Sequence, residues 1–387
     1  MGNKTALHRL SAARIICVRG IASAVIGGVA TTAGAHHSAA PHFDLEKEVV
    51  LTGVVTRFEF VNPHAYVYFD ARAADGTAEP WRCELASRVA LTRLGWTLDM
   101  FASGRTIIVK GAPARREEHV CMLTSFVRED GVDIGRNDDV SWLGLTKAPP
   151  VATVIQPGAR PARLANGQLN LTGPWVATGR PGGPGRGRPG GGGGGLGRGG
   201  PGGPGGPVGR PEPTAAGELA AQRYDDRFDD PATKCNPANI LFGWTHDQHV
   251  NEITQTGDEV ILQYGYMDFV RTVHMNATHP GGITPTTAGH STGTWDKDVL
   301  VVDTVDFAPS VLIPIIGLMH SDRMHVIERF SVDPNAKTLT RTYRAEDPLY
   351  LKTPYTGTDV MTLSTEPYIR YNCVELSGKN NLRPGRP

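Results

Sequence analysis

Short runs of β-branched and aromatic residues, broken by Gly, Pro, Asn and Asp, recur along most of this chain. No helical period of comparable length appears. That pattern predicts a mainly all-β protein. Val49 to Phe60 makes the first strand, with Val50, Val54, Phe58 and Phe60 among its apolar residues. Asn62-Pro63 breaks it, and Ala65 to Phe69 starts a second. Ala74-Asp75-Gly76 marks a turn before a third, Trp81 to Leu85. Ser87 to Leu94 then reads as a short helix with Val89, Leu91 and Leu94 as its apolar residues, Ser87 as N-cap and Gly95 just past its end. Thr106 to Lys110 and Val120 to Val127 follow as strands. Three strands, a helix and two strands is the order of a small OB-like β-barrel; a β-sandwich of similar size is the alternative.

A second series begins later. Glu259 to Tyr264, Phe269 to Met275, Ser291 to Trp295, Val299 to Thr304, His325 to Ser331, Thr338 to Tyr343 and Met361 to Cys373 all read as strands. Turns fall between them at Thr256-Gly257-Asp258, Trp295-Asp296-Lys297-Asp298 and Asp333-Pro334-Asn335. Regular short strands with tight turns predict an antiparallel, lipocalin-like up-and-down barrel. Leu171 to Trp175 looks like an early strand of the same domain, set apart from the rest by residues 178–211. That stretch is almost entirely Gly, Pro and Arg, cannot bury apolar surface, and reads as a disordered tether.

The N-terminus changes the picture of where the protein works. Lys4, Arg9, Arg14 and Arg19 precede an apolar run from Ile21 to Val29, and Ala33-Gly34-Ala35 supplies the small residues of a cleavage site. Residues 1–35 are therefore expected to be a signal peptide, with a periplasmic or secreted product. No second apolar run reaches the ~20 residues of a membrane span; Val311 to Leu318 is too short and contains Pro314. The expected organisation is a signal peptide (1–35), an OB-like domain (36–147), a connector with one strand (148–177), the tether (178–211), a lipocalin-like barrel (212–377) and a tail (378–387).

Basic and acidic residues balance at 39 each. Four of the basic residues lie in the leader and five in the tether, with no acid in either, so the folded parts are acidic. That opposes a phosphate-tracking nucleic-acid surface, even though Tyr66, Tyr68 and Phe69 could stack on bases. Of five cysteines, Cys17 leaves with the leader. In an oxidising compartment the remaining four favour one bridge per domain, Cys83–Cys121 and Cys235–Cys373.

Several segments resemble an exported bacterial family of unknown function. They are His36-His37-Ser38, Phe43-Asp44, Leu51 to Val55, Val61-Asn62-Pro63-His64-Ala65, Trp81, Gly95-Trp96 and Val109 to Ala114. The second domain resembles another widespread bacterial module through Arg271 to Met275, Gly289 to Trp295, Val299 to Thr304, His320-Ser321, Glu328 to Phe330 and Glu346-Asp347-Pro348. The resemblance implies barrel-like β-folds and no activity.

Two constellations carry candidate chemistry. Cleavage after Ala35 would leave a free amine on His36 beside His37, a chelate suited to Cu(II), with His64 as a further nitrogen; a solvated terminus and a turn histidine are the plain alternative. The second set is His274, His290, His320 and His325 with Arg271, Asp303 and Glu328. Such a set could bind a small polar ligand, hold a metal or serve acid–base chemistry, or it could be a buried structural network. Within it, Arg271 and Val273 share one strand face and His274 the other. The spacing matches no established metal signature, and His290-Ser291-Thr292-Gly293 is not a nucleophile elbow. The leading expectation is an exported protein that binds a small ligand or metal without catalysis. The alternatives are an envelope enzyme using His274, His290 and His320, or a structural adhesion module. Neither the ligand nor the oligomeric state follows from sequence.

N-terminal sequencing of the exported chain should begin His36-His37-Ser38; a product that retains Met1 would remove the export reading and the terminal chelate together.

Overall fold

In the computed structural model, the residues described are 39–73, 75–144, 160–177, 211–246, 249–335 and 337–375. The leader, His36, His37, the tether apart from Pro211, and the tail lie outside them. The fold is mainly β and is built around closed barrels. No helix among the described residues is long and apolar enough to cross a membrane.

The first barrel uses β1 (Val49–Glu59), β2 (Tyr66–Arg72), β3 (Ala78–Glu84), β4 (Thr106–Pro113) and β5 (Val120–Val127), with β6 (Asp133–Gly135) added beside β5. Helix α1 (Arg88–Arg93) lies between β3 and β4. The strands close in the order β1-β2-β3-β5-β4, an OB-type arrangement. Five strands cannot alternate direction around a ring, so one seam must be parallel. It is β3–β5. Cys83 and Cys121 are direct neighbours across that seam and are joined by a disulfide, both fully buried. Ser87 caps α1 by accepting a hydrogen bond from the Ala90 amide at 3.2 Å. Gly95 follows at φ +84°, where a Cβ would lie 2.7 Å from the Ser141 nitrogen, so only glycine fits. Along the first half of β1 the even positions, Val50 and Val54 included, face out, and Val55 is in the core.

The second barrel has nine strands: β7 (Gly173–Ala177), β8 (Val250–Gln255), β9 (Glu259–Gln263), β10 (Val270–Met275), β11 (His290–Asp296), β12 (Val299–Val305), β15 (His325–Asp333), β16 (Thr338–Glu346) and β17 (Tyr355–Leu363). Strands β13 (Ser310–Ile313) and β14 (Leu318–His320) pair separately, and helices α2 (Ala215–Arg223) and α3 (Asp226–Asp229) precede β8. The barrel departs from a purely antiparallel, lipocalin-like meander at one seam. Nine is again odd, and β10 runs parallel to β11 after a crossing loop. The strand β8 was not expected, because Asn251, Glu252 and Thr254 mask its period. The strand expected from Met361 to Cys373 ends instead at Leu363.

Beyond Leu363 the chain becomes a strap to the first barrel. The Asp268 carboxylate accepts from the amides of Tyr371 (2.8 Å) and Asn372 (3.1 Å) and from the Tyr368 hydroxyl (2.7 Å). Asn62, fully buried, donates to the Tyr371 carbonyl at 2.7 Å, and its own carbonyl accepts from the Val374 amide at 2.8 Å. The Cys235–Cys373 disulfide ties the end of the strap to the segment before β8.

Replacing Cys83 and Cys121 together by Ser should lower the unfolding free energy by roughly 2–4 kcal/mol, read by urea titration. An unchanged midpoint would mean that backbone pairing alone closes the seam.

Candidate functional site

The structure separates the histidines and charges of the second barrel into three places. Arg271 and His274 lie three residues apart on β10 and so face opposite sides. Arg271 points inward, 2% exposed, and pairs with the fully buried Glu328 of β15. Glu328 is shared: its other oxygen accepts from Arg341 Nη1 at 3.2 Å. Arg341 Nε in turn donates to Asp359 at 2.8 Å, and Nη1 and Nη2 reach the carbonyls of Ile240 and Leu241, each at 3.2 Å. Those carbonyls belong to a buried segment that carries Trp244, whose ring lies 5.4 Å from the Arg341 guanidinium. Asn251 and Tyr264 hold the same segment by donating to the carbonyls of Trp244 (2.7 Å) and Ile240 (3.1 Å). The lumen is therefore occupied by the protein's own charges and rings. Arg271 and Glu328, expected as ligand contacts, are partners of each other.

His320 goes elsewhere. It is 1% exposed on β14, with its ring edge-on to Phe307 at 6.0 Å and Nδ1 3.2 Å from the Ser321 carbonyl. Burial first of all pushes its pKa down. It lies on β14, outside the barrel strands that carry His274 and His290.

His274 and His290 do come together, on the outside of the barrel. Their rings stack at 5.3 Å with 20° between planes. His290 begins β11 directly after Gly289, whose φ of +65° and a hypothetical Cβ 2.6 Å from the Val305 carbonyl leave room for glycine alone. Across the crossing loop, His279 brings its Nδ1 within 2.8 Å of His290 Nδ1 and its Nε2 within 3.3 Å of Asp303 Oδ1. Asp303, on β12, is also 2.9 Å from His325 Nε2, and His274 Nδ1 is 3.3 Å from Glu259. The result is a continuous row, Glu259–His274–His290–His279–Asp303–His325, spread over five neighbouring strands and the loop between two of them. Burial, followed by the charges of His279 and His274, lowers the pKa of His290. His279 was not singled out from sequence. Its only signal was a His-Pro pair in a loop, and attention to strand parity passes over loops. Among the described residues, no group of three His, Cys, Asp or Glu side chains is placed to hold a metal ion as it stands.

In the first barrel, His64 is engaged with its neighbours. Its Nδ1 lies 2.9 Å from Glu84 and 3.3 Å from the Leu85 carbonyl, and Tyr66 donates to the same carboxylate at 3.2 Å. Its expected partners His36 and His37 lie outside the described residues. A cleft of about 40 Å³ lies beside it, among Tyr66, Tyr68, Arg82 and Val374. That is far below the roughly 300–1,000 Å³ of small-molecule sites.

Glu84 makes a pH test. Burial raises its pKa, but the charge and hydrogen bond of His64, aided by Arg136 and His42, more than offset this and hold it at about 2. A carboxyl depressed in the folded state contributes stability above its unfolded value, and that contribution fades as pH falls from about 4.5 towards 2. Acid titration should show a loss of roughly 2–3 kcal/mol over that window. His64→Ala should flatten it; an identical profile in that variant would refute the assignment.

Comparison with known proteins adds a family and no activity. Residues 24–122, a match that ends within β5, fit the model of a family of unknown function (DUF6152). Neither the curated proteins nor the solved structures contain a match to the chain. The first barrel is thus similar to a family whose function is itself unknown.

Proposed function

We propose that this is an exported, non-catalytic binding protein that engages its ligand on the outer face of the second barrel, at the row from His274 to His325. The observation that carries this reading is the division of the candidate residues. The lumen is filled by Arg271, Glu328, Arg341 and Trp244, whereas the row stands outside, with the side chains of His274, His279, Asp303 and His325 25–42% exposed. The charges of the lumen are paired with one another, so a lipocalin-like ligand would have to displace a neutralised ion-pair chain. The outer row faces solvent and can exchange partners at little cost to the core. The signal-peptide pattern, the two disulfides and the absence of a membrane-length helix among the described residues support export. The alternative of an envelope enzyme acting through His274, His290 and His320 loses its main support, because His320 is buried apart from the other two.

Native mass spectrometry with elemental analysis of the protein purified from its own envelope tests the reading. The expected result is a bound species that is absent from His290→Ala and retained by His64→Ala. A species retained by His290→Ala, or none in the wild type, would overturn it.

A further inference from the structure

The contact between His279 and His290 differs from the other polar contacts of the row's histidines, because it joins two ring nitrogens and no carboxylate. Two imidazole nitrogens 2.8 Å apart share a single proton: one ring donates and the other must present a bare lone pair. The remainder of the row decides which. His279 turns Nε2 towards Asp303, an acceptor when ionised, so the His279 proton belongs on Nε2 and its Nδ1 is the lone pair. A carboxylate behind an imidazole in this way is the usual support of a metal-ligating histidine, fixing its tautomer and raising its basicity. The arrangement recurs on the other side of His290. His274 faces Glu259 with Nδ1, which leaves Nε2 as its donor, and its ring already lies against His290.

The geometry points to a binding site for a divalent transition cation of borderline softness, the class of zinc and copper, at His279 Nδ1 and His290 Nδ1, completed by His274 Nε2. It rests on the outer-face reading above. The cation takes the place of the proton that the two rings now share: His290 gives up its Nδ1 proton and takes one from solvent at Nε2, so both rings stay neutral and no net proton is released. With metal–nitrogen bonds of about 2.0–2.1 Å, two nitrogens in a tetrahedral site stand about 3.3 Å apart, so the pair must open by roughly half an ångström. His274 must also rotate inward, and at 42% exposure it has room to do so. Imidazole donors favour zinc and copper over magnesium and calcium, which prefer oxygen.

The test uses the mature chain with Ala at positions 36 and 37, so that the terminal amine–imidazole pair cannot contribute. Calorimetric titration with ZnCl₂ and, separately, CuCl₂ at pH 7.5 should give one site per chain, with MgCl₂ giving none. His279→Ala and His290→Ala should each abolish it. Asp303→Asn, which removes only the charge behind His279, should weaken it by about 10–100-fold. His119→Ala, on the first barrel, should change nothing. No zinc or copper uptake, or uptake that survives the double His279→Ala/His290→Ala change, would overturn the inference. If the envelope-purified protein carries an organic species lost in His290→Ala while the apoprotein takes up neither metal, the metal class fails and the outer-face reading stands. If His290→Ala affects neither, both fail.

Discussion

Glu328 sits at the electrostatic centre of the second barrel. A carboxylate with no exposed surface is costly unless several donors surround it. Here Arg271 and Arg341 reach it from two other strands, and Asp359 balances the second positive charge. The four charges sum to zero, so the cluster is neutral as a unit although each member is buried. Its reach extends beyond the staves. Arg341 also grips the carbonyls of Ile240 and Leu241, so the same guanidinium that neutralises the lumen anchors the segment that fills it. Breaking any one pairing would strand the others as buried charges.

The same economy governs the joint between the barrels. Asn62 uses its side-chain amide on the strap, its side-chain carbonyl on the Val89 amide at the start of α1, and its backbone carbonyl on Val374. Arg88 adds contacts to the carbonyls of Arg370 and Tyr371. A single asparagine thereby links a helix terminus of one barrel to the last described stretch of the other. The Asn62-Pro63-His64 sequence, read at first as turn chemistry beside a metal candidate, serves this joint and the Glu84 pair.

Much of the architecture was legible in the sequence because strands announce themselves through local period and turn residues. The OB-like order and the capped helix follow from Ser87, Gly95 and the runs around them. The metal and ligand candidates were less legible for a physical reason. Parity places Arg271 and His274 on opposite faces but does not say which face is inside, and an arginine in a strand reads as exposed until its partner is known. That partner, Glu328, lies 57 residues away. His279 belongs to a loop whose position depends on the parallel β10–β11 seam, and neither periodicity nor spacing reports such a crossing. Likewise β8 escapes notice because its polar residues answer to neighbours distant in sequence.

The position of β7 has a consequence for how this chain can be divided. The Gly-rich stretch looks like a natural boundary, yet β7 lies before it and pairs with both β17 and β8, which lie after it. A fragment that starts past the stretch would carry eight staves of a nine-stave ring and two unsatisfied strand edges, one along Met361–Leu363 and one along Val250–Ile253. Open edges of this kind template pairing with other chains. The Gly-rich stretch thus falls, in sequence, between two staves of one ring, and a cut there leaves the barrel open.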